Sequence, residues 1–373
     1  MLRCGIASLR WPNETGTFAM LRFSNMLFPE ARTPDDDARI IRESMEEARL
    51  TEELGFEVLW LAEHHFDGNC AYVDPVTFAA AVAGATRKLT IGFAVVQTSL
   101  YHPIRLAEQI ALLDNLAEGR LIVGLGKGTT YNVYEYQGYG IDPDEAQGRY
   151  EEAEKIILRA WTSPEGFTHE GRFWNLRVPA LRPRCFSRPH PFVLRGAASM
   201  EGAIGLGKRG LPFMMNVQSA EETGRRMAVY RKALAEAGLD EAAIAERQRD
   251  CWVWRNIVVA DTDAEAERIA VPAFLQMVEQ RQKLRNRILA EQGIDMGSHH
   301  VAPANSDVVK GLIHGSPAKV AEEMAKIEAT GAGGVIGAFR LGPMPADVTS
   351  HSMRLFMEKV APQFSAVREP ALA

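Results

Sequence analysis

Eight short apolar runs alternate with helical segments along this chain, and that alternation constrains the fold more than any other feature. The runs cover residues 21–28, 58–62, 89–96, 120–125, 191–195, 211–215, 252–260 and 334–339. Near-continuous apolar runs of this length read as parallel strands covered on both faces. Between them, apolar residues recur at helical spacing, as in Ile40, Ile41, Met45, Ala48 and Leu54. First-turn prolines open several of these segments, at Thr33-Pro34, Asp74-Pro75, His102-Pro103 and Ser316-Pro317. Gly55 and Gly119 stop two of them. The alternation predicts a parallel sheet with crossover helices. Eight repeats favour its closure into a (β/α)8 TIM barrel over an open sheet.

Two connections are longer than a crossover needs, those after strands 4 and 7. After strand 4 come a glycine- and tyrosine-rich loop (126–140), a helix (144–161) and an irregular hairpin or insertion (167–184). After strand 7 the stretch 263–292 is expected to form two helices, because Pro272 interrupts it, and 296–305 to form a loop. Both are read as insertions at the barrel mouth and candidate lids. No composition break divides residues 20–373, which are expected to form a single barrel domain. Residues 1–19 lack periodicity and read as an N-terminal extension, or as an over-long gene start.

The 373 residues are 46% apolar, enough for a large core, and the net charge of −6 argues against nucleic-acid or anionic-membrane partners. No apolar run approaches the length of a membrane span. Cys4, Cys70, Cys185 and Cys251 are scattered, which suits free thiols in a reducing, cytoplasmic setting.

Candidate chemistry begins where the second run ends. Val58–Ala62 gives way abruptly to Glu63, His64 and His65, at the strand end where barrels place their sites. The same residues would also suit a solvated loop. Neighbouring histidines on extended chain point in opposite directions, so neither His64-His65 nor His299-His300 makes a credible metal set, and no metal is expected. Gly205-Leu206-Gly207-Lys208-Arg209-Gly210 spells a dinucleotide fingerprint but ends a helix instead of opening one, so its glycines read as a helix stop. Gly124, Gly126 and Gly128 follow strand 4 beside Lys127; they form a tight turn or let backbone approach an anion.

Several short motifs, taken together and in order, resemble the bacterial luciferase-like flavin monooxygenases. They are Glu63-His64-His65-Phe66, Tyr101-His102-Pro103-Ile104-Arg105, Glu118-Gly119-Arg120-Leu121 leading to Gly124–Gly128, then Tyr131, Glu135 and Tyr139-Gly140. Arg195-Gly196-Ala197-Ala198-Ser199, Gly315-Ser316-Pro317 and Val360-Ala361-Pro362 continue the match. The resemblance implies reduced FMN supplied by a separate flavin reductase, and dioxygen that reacts with it to form a flavin peroxide able to oxygenate a small organic substrate. His64 matches the histidine beside the flavin's reactive edge, where an imidazole can pass a proton. Glu63 could orient it or cap the neighbouring loop, and His65 would bond Glu63 or backbone. Ala94 and Val95 match the peptide, often cis, that backs the flavin ring, and Gln97 could reach the pyrimidine edge. The rest of the cofactor-binding rim departs in part from the family: Lys127 stands where the family has an arginine and Gly196 where it has a hydroxyl, while Ser199 keeps a hydroxyl and Tyr131 and Ala197 lie in the matching stretches. Arg195 stands where the family has an acidic residue; it would add positive charge for the phosphate or pair with a rim carboxylate.

Two other functions fit the same residues: a deazaflavin-dependent dehydrogenase, and a flavin-binding protein without turnover. Phe66, Tyr72, Tyr134, Trp252 and Trp254 could line an apolar pocket or belong to the core. A homodimer is expected, partly from the resemblance and partly because the alanine-rich helix at 75–86 is unusually apolar for an outer ring.

Overall fold

The computed structural model describes residues 21–129, 132–163, 165–216, 219–293 and 311–364. The strands in chain order are β1 (Arg22–Leu27), β2 (Val58–Leu61), β3 (Thr90–Phe93), β4 (Val96–Gln97), β5 (Leu121–Gly126) and β6 (Phe167–Glu170). They continue as β7 (Asn175–Val178), β8 (Phe192–Gly196), β9 (Phe213–Met215), β10 (Trp252–Val259), β11 (Leu312–Gly315) and β12 (Gly334–Ala338). A closed parallel ring runs β1–β2–β3–β5–β8–β9–β10–β12 and returns to β1. It is the (β/α)8 barrel expected from the eight runs. β1 is held on both sides, with Ser24 opposite Val58 and Arg22 opposite Gly334. β4 pairs with β5, and β11 adds to the end of β10.

The helices are α1 (Asp37–Glu53), α2 (Pro75–Ala85), α3 (Pro103–Leu116), α4 (Val133–Gly138), α5 (Ala146–Thr162) and α6 (Met200–Lys208). After them come α7 (Ala220–Glu236), α8 (Glu241–Arg249), α9 (Asp263–Glu291), α10 (Pro317–Glu328) and α11 (Ala346–Leu355). Local chemistry sets their starts. Asp74 accepts from the amides of Val76 and Thr77 ahead of Pro75, and Ser199, Ser219, Asp240 and Thr262 cap four more. The fingerprint-like stretch is a helix stop: α6 ends at Lys208 and Gly210 takes φ +67° before β9.

Alternation along the strands divides the apolar side chains into layers. Met26, Val58, Trp60, Ile122, Leu194, Met214, Trp252 and Ile336 fill the barrel interior. Their odd-phase neighbours Leu59, Ile91, Val123 and Val193 face the helices. Trp60 and Trp252 meet edge-on, 5.4 Å between ring centroids. Glycine makes room for them: a methyl on Gly92 would lie 2.3 Å from the Trp60 ring, and one on Gly334 2.4 Å from Trp252.

Several sequence expectations need correction. The stretch 263–291 is one helix of 29 residues that runs through Pro272. The proline forfeits one backbone bond, which a long helix anchored along its length can tolerate. α4, α8 and β11 arise where no regular element was expected. α2 is less of an exposed apolar face than its composition suggests: Val76, Phe78 and Val82 are buried within the protein, and Thr77, Ala81 and Gly84 are what it exposes. The extension 1–19, the loop 296–305, Tyr131 and His299-His300 lie outside the described residues. Among the described residues no helix is long and apolar enough to cross a membrane.

Candidate active site

The carboxyl ends of the ring strands open onto one mouth, and β2 supplies its acid–base group. Val58, Trp60 and Ala62 face the interior, and His64 continues that phase. Its ring lies 5.1 Å from the ring of Phe28, another interior residue, and 26% of its side chain is exposed. Nδ1 sits 3.2 Å from Oε1 of Glu135, a fully buried residue of α4. A carboxylate only accepts, so Nδ1 carries the proton and Nε2 is the nitrogen free for chemistry. Burial pushes the imidazole pKa down, but the hydrogen bond and charge of Glu135 push it up and prevail, leaving it above the usual 6.5. The backbone amide of His65 donates to the same Glu135 oxygen at 3.1 Å, while Oε2 is buried without a partner.

Glu63 does not orient His64. It shares the opposite phase with His65, whose Nε2 lies 2.7 Å from its Oε1. Its carboxylate also accepts from the Tyr101 hydroxyl at 2.8 Å and the Gln97 amide at 2.6 Å. The Gln97 side chain donates back to the Glu63 carbonyl at 2.9 Å. Glu63 therefore clamps the chain after β2 to β4, and His65, bonded to Glu63 as expected, is part of that clamp.

The Ala94-Val95 peptide is cis. Both side chains are half-buried against the interior cluster. Gly126 on β5 is needed beside them, since a methyl there would fall 2.4 Å from Val95 Cγ2. Gln97 is buried, and its Oε1 has no partner. Lys127 follows, half-buried, with no ion pair to its ammonium among the described residues. The neighbouring strand β8, with Arg195 opposite Leu125, ends at the exposed Gly196. Ser199 stands at the start of α6, its Oγ accepting from the Gly202 amide at 3.1 Å.

For two rim residues the structure records contacts within the protein. Arg195 has the phase of Val193 and points into the helix layer. Its Nε and Nη2 bind Glu154 Oε1 at 3.0 and 2.7 Å, and its Nη1 donates to the Val193 carbonyl. This is the carboxylate pairing, not an anion contact. Ala197 spends its amide on the Met214 carbonyl at 2.9 Å, and its side chain is buried in the outer core.

One role escaped the sequence and two more were read only in part. Glu135 was legible only as one acid in an aromatic stretch. α9, expected as a lid, lies across the mouth as a single rod. Its Arg281 hydrogen-bonds Glu30 and sits 4.1 Å above the Phe28 ring. Arg285 donates to Asn132 at 3.0 Å, and Leu289 packs on Val133 and Tyr134. The third role belongs to the strand face that carries Trp254. Of the other aromatic candidates, Tyr72 stacks on Phe78 in the outer core, Trp252 is buried in the barrel floor, and Phe66 is half exposed.

Comparison with known proteins identifies the class. The model of the luciferase-like monooxygenase family matches residues 19–333, and the chain belongs to that family. Limonene 1,2-monooxygenase from Rhodococcus erythropolis is 24% identical over 96% of this chain and 90% of its own. The crystal structure of monooxygenase RslO1 from Streptomyces bottropensis superposes with a TM-score of 0.78 at 26% identity, over 92% of this chain and 100% of that one. The oxygenating constituent of 3,6-diketocamphane monooxygenase from Pseudomonas putida, a type II Baeyer–Villiger monooxygenase in complex with FMN, gives a TM-score of 0.73 at 22% identity. That match covers 92% of this chain and 98% of that one. The chain spans 45% and 64% of the length of the first curated relatives it matches, two uncharacterized proteins of Sinorhizobium fredii.

Proposed function

We propose that the protein is a flavin-dependent monooxygenase, which uses reduced FMN from a separate flavin reductase and dioxygen to oxygenate a small organic molecule. The observation that carries this reading is the division of the mouth. A cation and a helix start lie on one side, an imidazole–carboxylate pair on the other, and small side chains lie between them. The residues fit FMN. Lys127, Gly196 and Ser199 would hold the phosphate: lysine supplies the charge, glycine permits close backbone approach, and the helix start adds donors. Ala94 and Val95 would back the ring, and the unpartnered Gln97 Oε1 offers an acceptor to its polar edge. Reduced FMN, when bound, supplies the electrons that activate dioxygen. His64 then holds or moves a proton at Nε2, kept in place by Glu135, while α9 shields the mouth from water. Glu63 acts by holding Gln97 and His65, not by acid–base chemistry.

Lys127→Ala tests the cofactor assignment. Reduced-FMN binding should weaken by roughly 1–3 kcal/mol, the range for losing a charge-assisted bond, with riboflavin binding almost unchanged. Anaerobic titrations of both flavins at two salt concentrations would measure this. Equal losses for the two flavins would remove Lys127 from the phosphate site. Tight binding of a deazaflavin coenzyme alone would overturn the monooxygenase reading in favour of a dehydrogenase.

A further inference from the structure

Beside the strand that carries His64, the arc of the mouth formed by β10, β12 and β1 has no part in the flavin assignment, and one buried polar group in it is unexplained. Along β10, Val253, Ile257 and Val259 face the helix layer. Trp252 and Trp254 face the interior. Val258, in the same phase, packs beneath α9 against Phe274 and Met277. Asn256 lies between them, above the barrel floor and below the covering helix. It is 3% exposed, and its side-chain amide makes no hydrogen bond among the described residues. One step down the same face, about 7 Å along the strand, the Trp254 indole Nε1 is likewise buried without a partner.

The surroundings are apolar. Ala338 is paired with Asn256 across the ladder, and Ile336, Met26 and Phe28 complete the wall. The charged group that reaches this arc from above, Arg281, is already paired with Glu30. A nearly buried amide with no protein partner is unfavourable unless water or a ligand completes it. Trp254 can only donate, and Asn256 can donate through its NH2. Both therefore suit an acceptor atom, and nothing facing this arc among the described residues offers an unpaired charge to an ionised ligand.

We propose that Asn256, assisted by Trp254, is the polar anchor of the substrate half of the mouth. Its ligand is a neutral, mainly apolar molecule held through one accepting oxygen. The proposal rests on the flavin reading for what happens to that molecule, but not for its binding.

The test therefore uses flavin-free protein. Calorimetric titration would compare cyclooctanone, cyclooctane and cyclooctanecarboxylate. The ketone should bind about tenfold or more tighter than the hydrocarbon, since a site built for a hydrogen bond discriminates against the analogue that lacks it. The indole N–H resonance of Trp254, assigned with Trp254→Phe, should shift on ketone addition. Asn256→Leu should abolish the preference while retaining cyclooctane. Asn256→Asp, equal in size, should abolish it too, which guards against a packing defect in the leucine variant. A ketone preference unchanged in both variants would overturn the proposal, as would a carboxylate that binds tighter than the ketone. No ketone binding at millimolar concentration would also count against it. Failure of FMN to bind in separate titrations would leave these results intact and would fall on the flavin reading alone.

Discussion

His64 and Glu135 lie 71 positions apart in sequence and meet through one hydrogen bond. If His64 transfers a proton, His64→Ala should lower coupled turnover by about two orders of magnitude or more, with flavin affinity little changed. Unchanged turnover would exclude it from the chemistry. Glu135→Gln keeps the shape but removes the charge that raises the imidazole pKa. The His64 titration, followed by imidazole NMR, should move to lower pH. Because the folded pKa lies above the usual value of 6.5, protonated His64 adds stability that is fully present below that pH. This contribution is lost as pH rises through the raised value, and in the Gln variant it should shrink. A titration that does not move would mean another group sets the imidazole. Part of this site was legible from period alone. Two-residue alternation puts His64 on one face and Glu63 with His65 on the other, so the Glu63–His65 bond could be foreseen. The same rule, applied to Val193 and Arg195, would have sent the arginine to the helix layer; reading it as a rim residue overlooked its phase. Glu135 as the partner of His64 was not legible, because no local pattern links a strand end to an insertion 71 residues later.

The covering helix is the element whose behaviour decides access to the site. α9 is tied down by Arg281 to Glu30, Gln280 to Asn69 and Arg285 to Asn132, with Leu289 packed on α4. Arg281→Met would leave Glu30, 6% exposed, without its charged partner. A loss of about 1–3 kcal/mol is expected, the range for orphaning a buried acceptor. Amide exchange should accelerate in the second half of α9 more than in the barrel strands. Uniform acceleration would mean the pair stabilises the whole barrel and does not latch the helix. The element's existence was legible from its length and spacing, but its continuity was not. Proline signals a lost donor, and only the contacts on both sides of Pro272 reveal that the helix survives it.

At the scale of the whole molecule, eight repeats were enough to predict the ring, since periodicity is a property of the chain itself. Assembly is harder to read. We expect a homodimer, because Leu112 and Leu116 on α3 are 52% and 54% exposed beside the small exposed residues of α2. Light scattering that found only monomers at micromolar concentration would refute this. The closure of the ring carries a further consequence, for synthesis. One edge of β1 bonds only to β12, so Arg22–Leu27 leaves the ribosome some 300 residues before its second neighbour. At about 5–20 residues per second that interval is roughly 15–60 s. During that time an apolar strand edge is open to any other chain that offers one. The ring that gives the site its walls thus keeps one strand edge unpaired until nearly the whole chain has been made.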